Sequence, residues 1–190
     1  MPGKEAIVWG EVVEIMPLRQ WKTSGVATFA RSLFLLACIG LGGNAAAHTI
    51  LVEESAPADG YYRARFLVAH GCDTSPTHTV RIQIPQGVEF LSAWHKPGWN
   101  VHTVPSPDAG NNDRTEPVKE VFWTGSKIPA DEYDYFEIQV KLPDEEGRVL
   151  YFKTIQICDE GDLRWIEIPE EGKSADDYES PAPSLTLTAH

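Results

Sequence analysis

Apolar and polar residues alternate in short runs along most of the chain from residue 48 onward. The alternation is clearest at residues 134–142, where every second side chain is apolar: Phe136, Ile138, Val140 and Leu142. The side chains between them are polar or aromatic: Tyr135, Glu137, Gln139 and Lys141. A period of two with one apolar face is typical of a strand that buries one side. We therefore predict a strand here, with its apolar face on a hydrophobic core.

Similar runs recur at short spacing and predict a set of β-strands. They cover residues 48–53, 61–69, 79–84, 88–94, 118–123, 134–142, 149–158, 163–168 and 185–188. Gly, Pro, Asn and Asp residues punctuate them, and these are the residues that form turns. Many short strands with frequent turns favour two packed antiparallel sheets. The predicted fold class is all-β: one antiparallel β-sandwich domain of the immunoglobulin-like or fibronectin-like kind.

Two polar segments interrupt this pattern. Residues 105–117 contain Pro, Asp, Asn and Gly and no apolar run, so they predict a long loop. Residues 169–183 are rich in Pro, Glu, Ser and Asp and are expected on the surface, ahead of the last strand.

The N-terminal part of the chain has the order of an export signal. Arg31 precedes an apolar run at residues 33–41, and small residues then lead up to Ala47. A basic region, a short apolar region and a small-residue cleavage site define a secretory signal peptide. The run is too short to cross a bilayer, which needs about 20 apolar residues. We predict a signal peptide over residues 1–47, with Met16 as the true start and cleavage after Ala47.

This cleavage leaves residues 48–190 as the mature domain, in the periplasm or secreted. The alternative is a lipoprotein-type site at Cys38, which follows Leu36 and Ala37. Few residues would then separate Arg31 from Ala37, which is short for the apolar region of a signal peptide.

The chain is acidic, with 28 Asp and Glu against 16 Lys and Arg and a formal net charge of −12. A basic surface for phosphate backbones is missing, so nucleic-acid binding is not expected. The charge favours solubility and attracts cations, and it disfavours docking on anionic lipid. We expect no stable membrane anchor in the mature domain.

Cys72 and Cys158 are the two cysteines of the predicted mature domain and lie far apart in sequence. Each follows or ends a predicted strand. In an oxidising compartment such a pair predicts one disulfide across the sandwich. A copper-thiolate site is the alternative, and an oxidising periplasm disfavours it.

His48 becomes the first residue of the protein if cleavage follows Ala47. It would then offer its α-amine and its ring Nδ1 to one cation, closing a six-membered chelate ring. Nitrogen donors of this kind favour Cu(II) among the divalent metals. His48 is therefore a candidate copper ligand, and the alternative is a histidine that lies beside the cleavage site by chance.

Trp165 and His70 are further candidates near the ends of predicted strands. On the strand at residues 163–168, Ile166 and Ile168 share one face, so Trp165 points outward if the isoleucines face the core. An outward indole could cover a bound cation, and an ordinary strand aromatic is the alternative. His70 lies just past a strand, where it could face a site or cap a loop.

Motifs of common enzymes are missing from the sequence. There is no Gly-x-Ser-x-Gly elbow, no phosphate-binding glycine loop, no nicotinamide fingerprint and no histidine spacing of a zinc hydrolase. We therefore expect a binding protein and not an enzyme.

Several short segments occur in a distinctive order along the mature domain. They are Ala47-His48-Thr49, residues 68–73 (VAHGCD), 84–88 (IPQGV), 96–99 (KPGW), 120–125 (EVFWTG), Cys158 and 164–169 (RWIEIP). Together they resemble the YcnI-type (YncI) copper-binding domain family over essentially the whole mature domain.

The resemblance implies an exported β-sandwich that binds one Cu(II) ion in a mono-histidine brace. In such a site His48 supplies its amine and ring nitrogen, a carboxylate assists, and Trp165 covers the metal. The carboxylate of the family does not align with a residue here. Glu54 is a candidate because it lies on the His48 side of a predicted strand, and His70 is the alternative ligand.

The function expected from this resemblance is copper handling, as a chaperone or a buffer. The partners are then the copper ion and copper chaperones or cuproenzyme assembly proteins. One alternative is a copper-dependent oxidase of the polysaccharide-monooxygenase kind, in which His70 or His78 supplies a third nitrogen. The other is an exported binding module without a metal.

Overall fold

A computed structural model describes residues 48–107 and 117–189 of the chain. The signal peptide predicted over residues 1–47, its cleavage site and Cys38 lie outside the described residues. Most of the polar loop predicted at 105–117 lies outside them as well.

The described residues form short strands joined by turns, with bounds close to those predicted from the sequence. In chain order the strands are β1 Ile50–Leu51, β2 Ser55–Pro57, β3 Tyr61–Val68, β4 Thr77–Gln83, β5 Glu89–Ala93, β6 Asn100–Pro105, β7 Val118–Thr124, β8 Asp134–Lys141, β9 Val149–Tyr151, β10 Thr154–Cys158, β11 Asp162–Trp165 and β12 Ser184–Thr188. A 3-10 helix, Ala175–Asp177, precedes β12.

Two antiparallel sheets make up the body of the domain. One has the strand order β1-β3-β8-β5 and the other the order β11-β10-β4-β7-β6. A small third sheet has the order β2-β12-β9, with β2 and β12 parallel. Strands β1 and β11 are therefore edge strands of the two main sheets, which decides where the candidate site lies.

The core lies between the two main sheets. Phe136, Ile138 and Val140 on β8 are fully buried, as the alternation along this strand predicts. The ring of Phe136 contacts that of Trp123 on β7 edge-on, with 5.2 Å between centroids. Because these two side chains come from different sheets, the predicted β-sandwich is confirmed.

One predicted strand is divided in the structure. The apolar run at residues 149–158 forms β9 in the third sheet and β10 in the five-stranded sheet. Between them, the amide of Phe152 donates to the carbonyl of Pro183 over 2.8 Å, and that of Gln83 to the carbonyl of Lys153 over 2.9 Å. A continuous apolar run therefore passes from one sheet to another, a change that hydrophobicity alone does not mark.

Strand β6 was not predicted. It is exposed along nearly its whole length and pairs only with β7, at the edge of the five-stranded sheet. Because neither of its faces is buried, it lacks the alternation that identifies half-buried strands.

The predicted disulfide between Cys72 and Cys158 is confirmed, with 6.0 Å between the two Cα atoms. Cys158 ends β10 and pairs with Thr77 at the start of β4. Cys72 lies in the connection between β3 and β4. The bond therefore ties this connection to one end of the five-stranded sheet and does not run through the middle of the sandwich.

The C-terminal segment is only partly on the surface. Residues 170–177 are exposed as expected, whereas Pro181, Ala182 and Pro183 are buried. The 3-10 helix of this segment is a single short turn. Within residues 48–107 and 117–189, no helix has the length and apolar character needed to cross a membrane.

Tyr62 on β3 gives the fold a titratable group with a perturbed pKa. It is 7% exposed, and its hydroxyl donates to the carbonyl of Glu53 over 2.5 Å. Burial, and then the negative charge of Glu53, raise the pKa of Tyr62 well above its ordinary value of about 10. The folded protein thus holds this proton more tightly than the unfolded chain does.

A raised pKa in the folded state contributes stability that is complete below the unfolded pKa and is lost as the pH rises above it. We therefore expect the melting temperature of the protein to fall progressively as the pH rises above about 10. Tyr62→Phe is expected to flatten this fall, as measured by circular dichroism melts. Equal slopes for both proteins would show that Tyr62 does not set the alkaline limit.

Candidate metal-binding site

His48 and Trp165 meet where the edges of the two main sheets come together. His48 immediately precedes the edge strand β1, and Trp165 ends the edge strand β11. Their rings contact edge-on, with 5.6 Å between centroids and 62° between planes. The structure thus brings together the two residues to which the sequence assigned the principal roles.

The outward orientation of Trp165, which required Ile166 and Ile168 to face the core, is wrong. Trp165 is 5% exposed, whereas Ile166 and Ile168 are 37% and 46% exposed. The ladder of β11 ends at Trp165, and the next amides, of Ile166 and Glu167, turn to the carbonyl of Ser180. Strand alternation therefore does not extend to the isoleucines, and they do not define the buried face.

Trp165 instead faces the interior because of its partner strand. It lies opposite Thr154 on β10, and Thr154 is fully buried. Directly opposed residues of an antiparallel pair lie on the same face of the sheet. The indole therefore packs inside the sandwich edge and contacts His48 from there.

A buried glutamine, which the sequence analysis did not single out, holds the indole N–H. Gln156 on β10 is 1% exposed, and its Oε1 accepts a hydrogen bond from Trp165 Nε1 over 3.4 Å. The buried face of β10 is the polar one, Thr154, Gln156 and Cys158. Cys158 could have revealed the burial of Gln156. A cysteine in a predicted disulfide is expected to face the interior, and Gln156 lies two residues before it on the same face of the strand.

The imidazole of His48 is uncommitted. It forms no hydrogen bond with another described residue, and its Nε2 is buried without a partner. The hydroxyl of the neighbouring Thr49 is likewise buried and unpaired within the described residues. A buried polar atom without a partner is costly, so this part of the structure is suited to a ligand that supplies one.

Next to His48 lies a small cavity of about 130 Å³. His48, Thr49 and Glu54 line one part of it, and the C-terminal segment supplies Asp176 and residues 181–184. Glu54, the carboxylate favoured from the sequence, therefore shares a cavity with His48. Asp176 is a second carboxylate there, and no sequence pattern had indicated it.

His70 has a different position. Its ring Nδ1 lies 2.5 Å from the carbonyl oxygen of Gly71, and its own carbonyl accepts a hydrogen bond from Gln156. It is not among the residues that line the cavity. His70 is thus linked to Trp165 through its backbone carbonyl, which is hydrogen-bonded to Gln156, and not through its ring.

Among residues 48–107 and 117–189, no three His, Cys, Asp or Glu side chains converge as a metal cluster. The mono-histidine brace implied by the resemblance does not need such a cluster. It takes two nitrogens from one residue and adds one carboxylate. The described donors, a free imidazole and a carboxylate on one cavity, fit that set.

Comparison with known proteins gives a family match and a fold. A family model described as "Domain of unknown function (DUF1775)" matches residues 48–187. No curated protein matches the chain.

Among solved structures, the chain is similar to an uncharacterized protein from Nocardia farcinica described as having an immunoglobulin-like fold. The TM-score is 0.59 and the identity 24%, over 74% of this chain and 98% of that one. This likeness confirms the predicted fold class.

A putative membrane anchored protein from Corynebacterium diphtheriae also matches. Its TM-score is 0.39 and its identity 7%, over 75% of this chain and 34% of that one. A TM-score at this level does not establish a shared fold.

Proposed function

We propose that this chain, which belongs to the DUF1775 family of YcnI-like domains, is an exported Cu(II)-binding protein that serves copper handling. One observation carries the proposal: the uncommitted imidazole of His48 lies against Trp165 and beside a cavity that Glu54 also lines. Copper is the cargo of this protein, which stores it or passes it to copper chaperones or cuproenzyme assembly proteins.

The chemistry of the donors supports copper over other divalent ions. An α-amine and an imidazole of one residue form a compact nitrogen chelate, and such donors bind Cu(II) most tightly among first-row divalent metals. The carboxylate of Glu54 would add a negatively charged oxygen donor. The acidic surface of the protein attracts cations to the site in addition.

Cleavage of the signal peptide after Ala47 is part of the proposal, because only cleavage gives His48 a free α-amine. The disulfide between Cys72 and Cys158 supports export, since such bonds persist in oxidising compartments. The family match begins at His48, which is the residue that the predicted cleavage would place first.

Trp165 would shield the ion from water and contribute a cation–π contact. Its burial and its edge contact with His48 support this role. Such a contact is worth about 1 to 2 kcal/mol when desolvated. Trp165 would therefore tune affinity, while the nitrogen donors of His48 supply most of it.

Fluorescence tests the proposal, because a bound Cu(II) ion quenches a tryptophan that lies next to it. We expect Cu(II) to quench the processed protein at about one equivalent, and Trp165→Phe to remove most of that quenching. The affinity, measured by chelator competition, is expected to fall by about tenfold.

The matched control is Trp94→Phe, which changes an indole that is 41% exposed and lines a different cavity, with His95 and Lys96. This variant should keep the quenching that Cu(II) causes in the parent protein. A quenching signal that survives in Trp165→Phe would place the ion elsewhere. The absence of binding tighter than micromolar would overturn the copper function itself.

A further inference from the structure

The side chain of Gln156 forms three hydrogen bonds close to the candidate site. Its Nε2 donates to Thr77 Oγ1 over 2.7 Å and also to the carbonyl of His70. Its Oε1 accepts from the indole of Trp165 over 3.4 Å. One buried amide thus joins β4, the β3–β4 connection and β11.

These partners leave the amide a single orientation. The carbonyl oxygen of His70 can only accept, so the nitrogen of Gln156 must face it. The indole N–H of Trp165 can only donate, so the oxygen must face the indole. Reversing the amide would break both contacts, and each would leave a buried group without a partner.

The network continues from Gln156 to the disulfide. Thr77 Oγ1 lies 3.5 Å from Cys158 Sγ. A disulfide sulfur carries no hydrogen, so the hydroxyl of Thr77 donates and the sulfur accepts. The hydrogen bonds therefore run in one direction, from the indole of Trp165 through Gln156 and Thr77 to Cys158, an arrangement in which neighbouring bonds strengthen each other.

A bulge makes this network possible. The pairing of β10 with β4 shifts between Ile157 and Cys158, so that Ile157 lies opposite Thr79 and Cys158 opposite Thr77. The extra residue on β4 is His78. A bulge re-aims side chains, and Thr77, which is fully buried, reaches Gln156 as a result.

We infer that Gln156 is a positioning residue, which fixes the indole of Trp165 against the ring of His48. It is not among the residues that line the cavity, and it is linked to His48 through the indole of Trp165. Its consequence for metal affinity rests on the proposed copper function, whereas its effect on the two rings does not.

The test begins with the metal-free full chain. In Gln156→Met, which has a similar shape but no polar atoms, the indole N–H of Trp165 loses its acceptor. We expect its NMR resonance to shift and its hydrogen exchange to accelerate by about tenfold, the equivalent of about 1.4 kcal/mol. The ring protons of His48 should shift as well, because they lie beside the aromatic indole.

Two further variants keep this test decisive. In its protonated form, Gln156→Glu retains an acceptor for the indole and a donor for the carbonyl of His70. It is expected to restore much of the Trp165 signal, even if the methionine variant folds poorly. Gln83→Met makes the same change as Gln156→Met at an exposed position on the neighbouring strand β4 and should leave the signals of both rings unchanged.

Copper affinity forms the second part of the test. In processed protein, Gln156→Met is expected to weaken Cu(II) binding about tenfold, a size typical of residues that orient a metal site. Unchanged resonances of Trp165 and His48 would overturn the inference. So would shifted resonances with undiminished copper affinity. If the parent protein binds no copper, the copper proposal fails while the ring signals still decide the role of Gln156.

Discussion

Replacing Cys72 and Cys158 together by alanine is expected to lower the free energy of unfolding by about 4 kcal/mol. The disulfide closes a long loop, because the two cysteines are 86 residues apart. On the chain-entropy model, a cross-link of this span removes much of the freedom of the unfolded chain. The same change deprives the Thr77 hydroxyl of its sulfur acceptor.

Urea unfolding followed by circular dichroism measures this loss. Each single alanine variant should lose about as much stability as the double variant, because either change removes the whole bond. Ser75→Ala, a buried position in the same connection, is the control for a small side-chain change and should cost far less. If the free energy of unfolding of the double variant falls by less than about 1 kcal/mol, the disulfide does not stabilise the fold as the chain-entropy model predicts for a loop of this length.

Extending the protein backwards from His48 to Ala45 is expected to weaken Cu(II) binding by about a hundredfold or more, the equivalent of about 3 kcal/mol. In the longer chain the nitrogen of His48 is part of a peptide bond with Ala47, and an amide nitrogen is a far poorer donor than an amine. The new amine lies three residues away and cannot close the six-membered ring with the imidazole.

Competition with a chelator of known affinity gives this ratio, with the chain that begins at His48 as the reference. Both proteins have the same charged side chains and the same fold, so general attraction of cations to the acidic surface cancels. Equal affinities would show that the amine of His48 does not contribute to binding.

Strand β8 shows how much of the fold the sequence predicts. Its apolar residues Phe136, Ile138 and Val140 alternate over the whole strand, and all three are fully buried. β8 has neighbours on both sides in its sheet, and its two faces differ sharply in polarity. Where one face of a strand is buried and the other is not, apolar and polar residues alternate, and the strand can be predicted from the sequence.

Strand β11 shows where that signal fails. It is short and lies at a sheet edge, so too few residues alternate to identify the inner face. The exposed Ile166 and Ile168 follow the strand and suggested the wrong face for Trp165. The pairing of Trp165 with Thr154 decides its orientation, and strand pairing is not visible in a single strand's sequence.

The candidate site was predicted in part. His48 and Trp165 were candidates from their positions in the sequence, and the resemblance assigned their roles. The two residues lie in contact, and Glu54 shares the cavity of His48. Gln156 was missed because a single polar residue between two isoleucines carries no sequence signal of burial. Asp176 was missed because it comes from an exposed, irregular segment that only the fold brings to this cavity.

The central claim is that residue 48 holds Cu(II) through its own amine and ring nitrogen. Electron paramagnetic resonance of Cu(II)-loaded protein tests this most directly, with mass spectrometry to verify which residue is first. For the chain that begins at His48 we predict splittings from two nitrogens of that residue, and for the chain that begins at Ala45 the loss of the amine contribution. Identical spectra for the two chains would contradict the account.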